Sequence, residues 1–210
     1  MENPVLIFGA GSLGRVALDI FTRNNVVVYG FLDENKALHG TDINAVPVLG
    51  DPDDEGYTKL IGKKCEAFVA ADDSATREDL VELLTERRKV MPVNAIHDTA
   101  VISQTALLGH GNLVGAGVVV NPDAKIGNQC LLHARSVIDT QASLADYVQV
   151  GAGAIIGTGA KLAEHAFIGA GAVLVAGVTI GKGARVGAGS VVVENVPAHG
   201  TVFGNPAKKV

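Results

Sequence analysis

Through the second half of the chain, an aliphatic side chain recurs at every sixth position. The series runs Ile102, Leu108, Val114, Val120, Ile126, Leu132, Ile138, Leu144, Val150, Ile156, Leu162, Ile168, Leu174, Ile180, Val186, Val192, sixteen in a row without an insertion. Two residues before each stands a small or medium-sized side chain, such as Ala100, Ala124, Cys130, Ser136, Ala154 or Ser190. Gly often follows the aliphatic, as in Ile126-Gly127, Val150-Gly151 and Ile168-Gly169. A period of six matches neither a helix nor a simple strand. It matches a three-sided coil of 18 residues, one short strand per side. In such a coil the aliphatic plugs the prism and the small residue sits near the corner. Gly relieves the turn. Successive coils stack about 4.8 Å apart through parallel ladder bonds. A sandwich of unrelated short strands would not hold one spacing through sixteen repeats. The expectation is a parallel β-helix from about residue 96, with a tail to residue 210.

Composition agrees. The chain is 48% hydrophobic but only 4% aromatic, with no Trp, so its core must be filled by small and branched aliphatics. A net charge of −5 argues against a dedicated nucleic-acid binder. Cys65 and Cys130 are the only cysteines, and no CxxC pair is present. Two lone thiols suit a reducing compartment, so a cytoplasmic protein is expected, without structural metal. No apolar run reaches the ~18 residues of a membrane span. No signal peptide is expected, because the run Val5–Phe8 ends at Gly9-Ala10-Gly11.

Residues 1–95 have a different grammar. Val5-Leu6-Ile7-Phe8 reads as a buried parallel strand. Leu13, Val16, Ala17, Ile20 and Phe21 then mark one face of a helix, stopped by Asn24-Asn25. Val26–Leu32 is a second strand. Val46–Leu49 is a third, and its Pro47 places it at an edge. Cys65–Ala70 is a fourth. Ser74 caps a helix running to Arg88, with Leu80, Leu83 and Leu84 inward. Strands alternating with helices imply a small parallel α/β sheet, a Rossmann-like domain.

Gly9-Ala10-Gly11-Ser12-Leu13-Gly14 fits G-x-G-x-x-G between the first strand and first helix. Backbone N–H groups there can hold phosphate oxygens. Asp33, at the end of the second strand, can bond a ribose or base. A nicotinamide enzyme would need a second mononucleotide half, and about 95 residues leave no room for one. A single nucleotide moiety suits the space better. The plain alternative is a tight turn that needs Gly only for packing.

Taken in order, VLIFGAGSLGR, GFLDEN, FVAADDSATR, the hexads and the closing FGNPAKKV resemble one family across Val5–Val210. It is the two-domain sugar acetyltransferases of the sialic acid O-acetyltransferase and UDP-amino-sugar N-acetyltransferase type. The resemblance implies an N-terminal nucleotide-sugar domain over residues 1–95. It implies a left-handed β-helix over 96–210, against the usual crossover hand. It also implies a homotrimer with acetyl-CoA in the groove between neighbouring β-helices, and a sugar or nucleotide-linked amino sugar as acceptor in glycan biosynthesis. The nucleotide-sugar would contact Gly9, Gly11, Ser12, Leu13, Gly14, Asp33, Asp73 and Arg77. Acetyl-CoA would contact Gln149, Gly157, Thr158, Gly171, Ala172 and Lys182.

The chain departs from this family where the chemistry lies. The family's general-base His falls in a segment like I-[DE]-H-[DE], where this sequence has Ile138-Asp139-Thr140-Gln141. Thr140 takes the base position and Gln141 that of its acidic partner. Neither titrates near neutral pH. A second family His maps to Gln149, and Thr158 stands where Gly is usual. Asp72 replaces the Gly of A-I-G-D-N-x-x-R, while Asp73 and Arg77 agree. Three readings stay open: another base, catalysis by positioning alone, or a catalytically silent trimeric binding protein. His133 is the first candidate for a substitute base. His110, Asn128, Asp146 and Glu164 form one 18-residue column, read as a polar ladder. From residue 161 on, Lys161, Lys182, Arg185, Lys208 and Lys209 outweigh Glu164 and Glu194 by three charges. They are candidates for the CoA phosphates.

Overall fold

The computed structural model describes residues 3–210; Met1 and Glu2, at the start of the expected N-terminal domain, lie outside the described residues. The chain divides into two compact units, Met1–Asp98 and Thr99–Val210. Among the described residues, no helix is long and apolar enough to cross a membrane.

The first unit is built on a sheet of β1 (Val5–Phe8), β2 (Val28–Leu32), β3 (Asp42–Ile43), β4 (Val46–Gly50) and β5 (Glu66–Val69), in the order β3-β4-β2-β1-β5. β1, β2, β4 and β5 run parallel. β1 is apolar at all four positions and fully buried, since it is paired on both sides. The expected edge at Val46–Leu49 is not the edge. The two-residue β3 folds back antiparallel onto it, pairing Asp42 with Pro47. The hairpin turn is Asn44-Ala45, both at positive φ, which matches the twist of the paired strands. Pro47 is tolerated because its neighbour on that side is so short.

Helix α1 (Ser12–Arg23) buries Leu13, Ala17, Leu18, Ile20 and Phe21, while Val16, expected inward, is 43% exposed. Asn24 ends it and Asn25 turns left-handed at φ 59°, as expected of a stop signal. A single turn, α2 (Glu55–Thr58), precedes β5. Helix α3 spans Ser74–Arg88, but its cap is Asp73, not Ser74. The Asp73 carboxylate accepts the Thr76 N–H at 2.9 Å, one residue earlier than the sequence reading placed the cap. Leu80 and Leu84 are buried in its face and Leu83 is half-buried.

The second unit is a parallel β-helix. Among the described residues, sixteen two-residue strands run from Val101–Ile102 to Val191–Val192, one per hexad. Each of the first thirteen pairs with the strand 18 residues on, as Val119–Val120 does with Val137–Ile138. The second residue of each strand points into the prism. From Val114 to Val192 all of these aliphatics are buried, while Ile102 and Leu108, in the first coil, are half-buried.

The corners use two distinct positions. One is left-handed at every sixth residue, from Gly111 to Gly189, and is filled by Gly or by Asp123, Gln129, Arg135, Gln141, Tyr147 and His165. The Gly that follows the aliphatic answers a different need. A Cβ on Gly151 would sit 2.5 Å from Ala170 N and 2.8 Å from Gly169 C, on the coil above. That Gly permits close stacking and does not itself make the bend. After the last coil, Thr201–Gly204 adds a parallel strand beside Arg185–Val186, and Ala207–Lys209 folds back onto it antiparallel.

Candidate active site

The glycine-rich turn of the first unit is braced from behind. Gly9 has φ +105°, and a Cβ there would lie 2.8 Å from Ala70 O. A Cβ on Gly14 would strike Gly9 O. These two glycines are explained by backbone packing. Gly11 is exposed and faces open space, so it is the glycine left for a ligand. Leu13 is buried and serves the core. The first turn of α1 carries no acidic residue and no side-chain cap. Asp33 does not project freely. Its Oδ2 accepts the Ala10 N–H at 2.7 Å and its Oδ1 accepts the Asn35 N–H at 2.8 Å. Ser12 Oγ donates to Asp72 Oδ2 at 3.2 Å. Arg77 is fully buried and donates to the carbonyls of Ala71 (2.6 Å) and Asp72 (3.2 Å). Asp73 and Arg77 thus shape the loop that carries Asp72.

In the β-helix, the column expected to be a polar ladder bonds coil to coil. His110 N–H donates to Asn128 Oδ1 at 2.9 Å, and Asn128 N–H to Asp146 Oδ1 at 2.7 Å. Lys182 Nζ donates to Glu164 Oε2 at 2.6 Å in an exposed ion pair. Tyr147 and His165 stack at 5.1 Å along the same edge. His133 meets Gln149: their Nε2 atoms are 3.2 Å apart, with the amide as donor and the ring nitrogen as acceptor. His133 follows the strand Leu131–Leu132 and Gln149 opens the strand Gln149–Val150, whereas Thr140 stands at the corner after Val137–Ile138. Gly171 is exposed, whereas the side chain of Ala172 is buried inside the prism.

The corner that follows Val137–Ile138 gathers around a residue outside the expected set, Asp139. Its half-buried carboxylate accepts three hydrogen bonds. Asn121 Nδ2 and the Thr140 N–H donate to Oδ1 at 2.8 and 2.7 Å. Thr158 Oγ1 donates to Oδ2 at 2.7 Å. Thr158, with the Thr140 N–H and Asn121, holds the Asp139 carboxyl below the usual carboxylate range. Asp139 is therefore ionised at any working pH. The stability it contributes is present above about pH 4 and lost as pH falls through its lowered folded-state value. A Cβ on Gly157, one coil above Asp139, would meet Leu174 O at 2.5 Å, so this Gly serves close stacking with the following coil. Gln141 is exposed at φ +60°. Towards the C-terminal coils, exposed Ile155, Val175 and Val193 continue from this corner as an apolar strip. Beyond it lies a cleft of about 340 Å³ lined by Val192–Pro197 and by Lys208 and Lys209.

Residues 4–84 match the PglD N-terminal domain, and residues 159–194 match the bacterial transferase hexapeptide repeat in six copies. A histidine-to-alanine variant of GDP-perosamine N-acetyltransferase from Caulobacter crescentus, crystallised with CoA and GDP-perosamine, is 32% identical. The match covers 100% of this chain and 98% of that one, with a TM-score of 0.90. The chain belongs to this family of two-domain, hexapeptide-repeat sugar acetyltransferases. Its fold is accordingly a Rossmann-like α/β domain followed by a left-handed parallel β-helix. WeeI from Acinetobacter baumannii is 28% identical, with 99% of each chain covered and a TM-score of 0.87. The acetyltransferase domain of PglB from Neisseria gonorrhoeae, in complex with acetyl coenzyme A, is 24% identical over 100% of both chains and shares the fold at a TM-score of 0.90. No curated protein sequence matches.

The signal for Asp139 was present in the sequence. It is a charged residue directly after an inward aliphatic, where ten of the sixteen hexads carry Gly or Ala, and Asn121 stands 18 residues before it.

Proposed function

We propose that this protein transfers the acetyl group of acetyl-CoA to a sugar or nucleotide-linked amino sugar in glycan biosynthesis, at the corner formed by Asp139, Thr140 and Thr158. The observation that carries the reading is the end-to-end likeness to an acetyltransferase bound to CoA and a nucleotide-linked amino sugar. The site supports it. An apolar strip of Ile155, Val175 and Val193 suits the pantetheine arm, and the cleft with Lys208 and Lys209 suits its phosphates. The open Gly11 and the exposed Ser12 offer the acceptor's nucleotide a first-turn N–H cradle.

A homotrimer belongs to the same proposal. Its support is the outward column of the wall that bears the site. Val101, Val119, Val137, Ile155, Val173 and Val191 occupy the outward position in successive coils. The other two walls are mixed at equivalent positions: Leu107, Lys125, Ser143, Lys161 and Thr179 on one, and Leu113, Leu131, Gln149, Phe167 and Arg185 on the other. A continuous β-branched face on one wall is the pattern of a subunit contact. Two buried thiols outside any disulfide are in keeping with a cytoplasmic setting.

A second reading, a binding protein without turnover, is favoured by the lack of a titratable side chain at Thr140. A thiol-release assay with acetyl-CoA and a panel of nucleotide-linked amino sugars separates the two. Free CoA is expected to accumulate only when acceptor is present. Acetyl-CoA binding without CoA release across a wide panel would establish the silent reading.

A further inference from the structure

We infer that Asp139 is the proton acceptor of the transfer and that it restricts the acceptor to a primary amine, excluding sugar hydroxyls. The inference rests on the acetyltransferase reading above and specifies its chemistry.

Asp139 is the carboxylate at the level of Thr140. Asp123 and Glu194 belong to the same corner but to other coils. Its orientation is fixed by donors from three successive coils: Asn121 below, the Thr140 N–H beside it, and Thr158 above. The Thr140 side chain also bears on this carboxylate. Oδ2 carries the bond from Thr158, and each carboxylate oxygen has about two lone-pair sites, so Oδ2 is the atom that receives an incoming N–H. The exposed aliphatics Ile155 and Val175 adjoin this corner, so a thioester lying on them would reach it.

The hydrogen bonds that orient Asp139 also make it a weak base, held below the usual range. This weakness decides the acceptor. A neutral amine can attack a thioester before it loses its proton. Its nitrogen adds to the carbonyl carbon and becomes positively charged, and the N–H is then acidic enough for a carboxylate to take. The C–N bond forms and the C–S bond breaks. The proton passes to Asp139 and on to the departing thiolate, so that CoA leaves as the thiol and Asp139 is restored. An alcohol must give up its proton as it attacks, which needs a base close to neutral in pKa. This corner has no such base, since Thr140 cannot serve. The fixed negative charge also stabilises the positive charge that develops on the amine nitrogen as it attacks.

The test uses the full-length protein, acetyl-CoA, and paired nucleotide-sugars that differ only in amine or hydroxyl at the acceptor carbon. CoA release is read in wild type, Asp139→Asn and His133→Ala, with acetyl-CoA binding measured in each. Wild type is expected to acetylate the amine and leave the hydroxyl partner untouched. Asp139→Asn is expected to lower kcat by about 10²–10⁴-fold while acetyl-CoA affinity holds. Equal turnover of the hydroxyl partner by wild type overturns the inference without any variant. So does an Asp139→Asn protein with unchanged kcat, or a loss of turnover confined to His133→Ala. In all three cases the acetyltransferase reading survives. Silence of wild type with every acceptor overturns both.

Discussion

Gly151→Val is expected to break the stacking of the β-helix at its middle. The new side chain would enter the 2.5–2.9 Å space already filled by Ala170 N, Gly169 C and Ala170 Cα. All three are backbone atoms of the coil above, so no rotamer change can relieve the contact. Relief requires the coils to separate, and separation breaks the bond from Gly151 N–H to Ile168 O at 2.8 Å and its neighbours. Each coil bonds only to the coils on either side, so damage at one level divides the stack. The expected cost is about 3 kcal/mol or more, at the upper end of overpacking effects, with Tm lowered by roughly 6–12 °C. Thermal unfolding checks the size. Hydrogen exchange checks the pattern, with protection lost first around residues 150–170. Gly153→Ala is the control: a Cβ on Gly153 meets nothing within 4 Å, and its cost is limited to the strain of φ +67°.

Ile155→Asp is expected to convert the proposed homotrimer to monomers and to abolish turnover. Ile155 is 42% exposed at the centre of the outward Val/Ile column, while its strand partner Ile156 is fully buried. An Asp at this position stays in water in a lone chain, and the monomer's own fold is barely affected. In a trimer contact its charge would lose its water, at a cost of several kcal/mol for each buried ion. Mass measurement by light scattering should show one-third of the wild-type mass, with far-UV circular dichroism unchanged. Lys161→Asp, on a neighbouring wall, should leave the mass as it is. A trimeric Ile155→Asp protein would move the contact to another wall.

How much of this was legible beforehand depends on what fixed each feature. The prism is a one-dimensional repeat, and every coil poses the same packing problem at the same spacing. The inward aliphatics were therefore readable to the residue, from Val114 to Val192. The corners were harder, because Gly occurs there for two reasons that composition cannot separate. Gly151 avoids the next coil's backbone, whereas Gly153 supplies positive φ. In the α/β unit, local rules placed the elements and missed their neighbours. Pro47 signalled an edge, but the short Asp42–Ile43 strand covers it. Ser74 is a good cap by type, but the Asp73 carboxylate is the one that reaches Thr76 N–H.

The site divided in the same way. Thr140 and Thr158 were singled out as departures from the family's pattern, and Asp139 joins them. Asp139 itself was passed over because it flanks the degenerate position. Only side-chain geometry shows it collecting donors from three coils. His133 stood first in sequence as a substitute base, yet it meets Gln149, away from the corner of Thr140. The outward Val/Ile column was in plain view, six residues at an 18-residue spacing, one position before an inward series that is more regular still.

The central claim is that the thioester is handled at the Asp139–Thr140–Thr158 corner. A crystal structure of the protein with CoA tests it most directly. The account predicts the pantetheine arm along Ile155, Val175 and Val193, with the thiol beside the Asp139 carboxylate. A thiol seated next to His133 and Gln149, or CoA bound at the glycine-rich turn of the first unit, would contradict it.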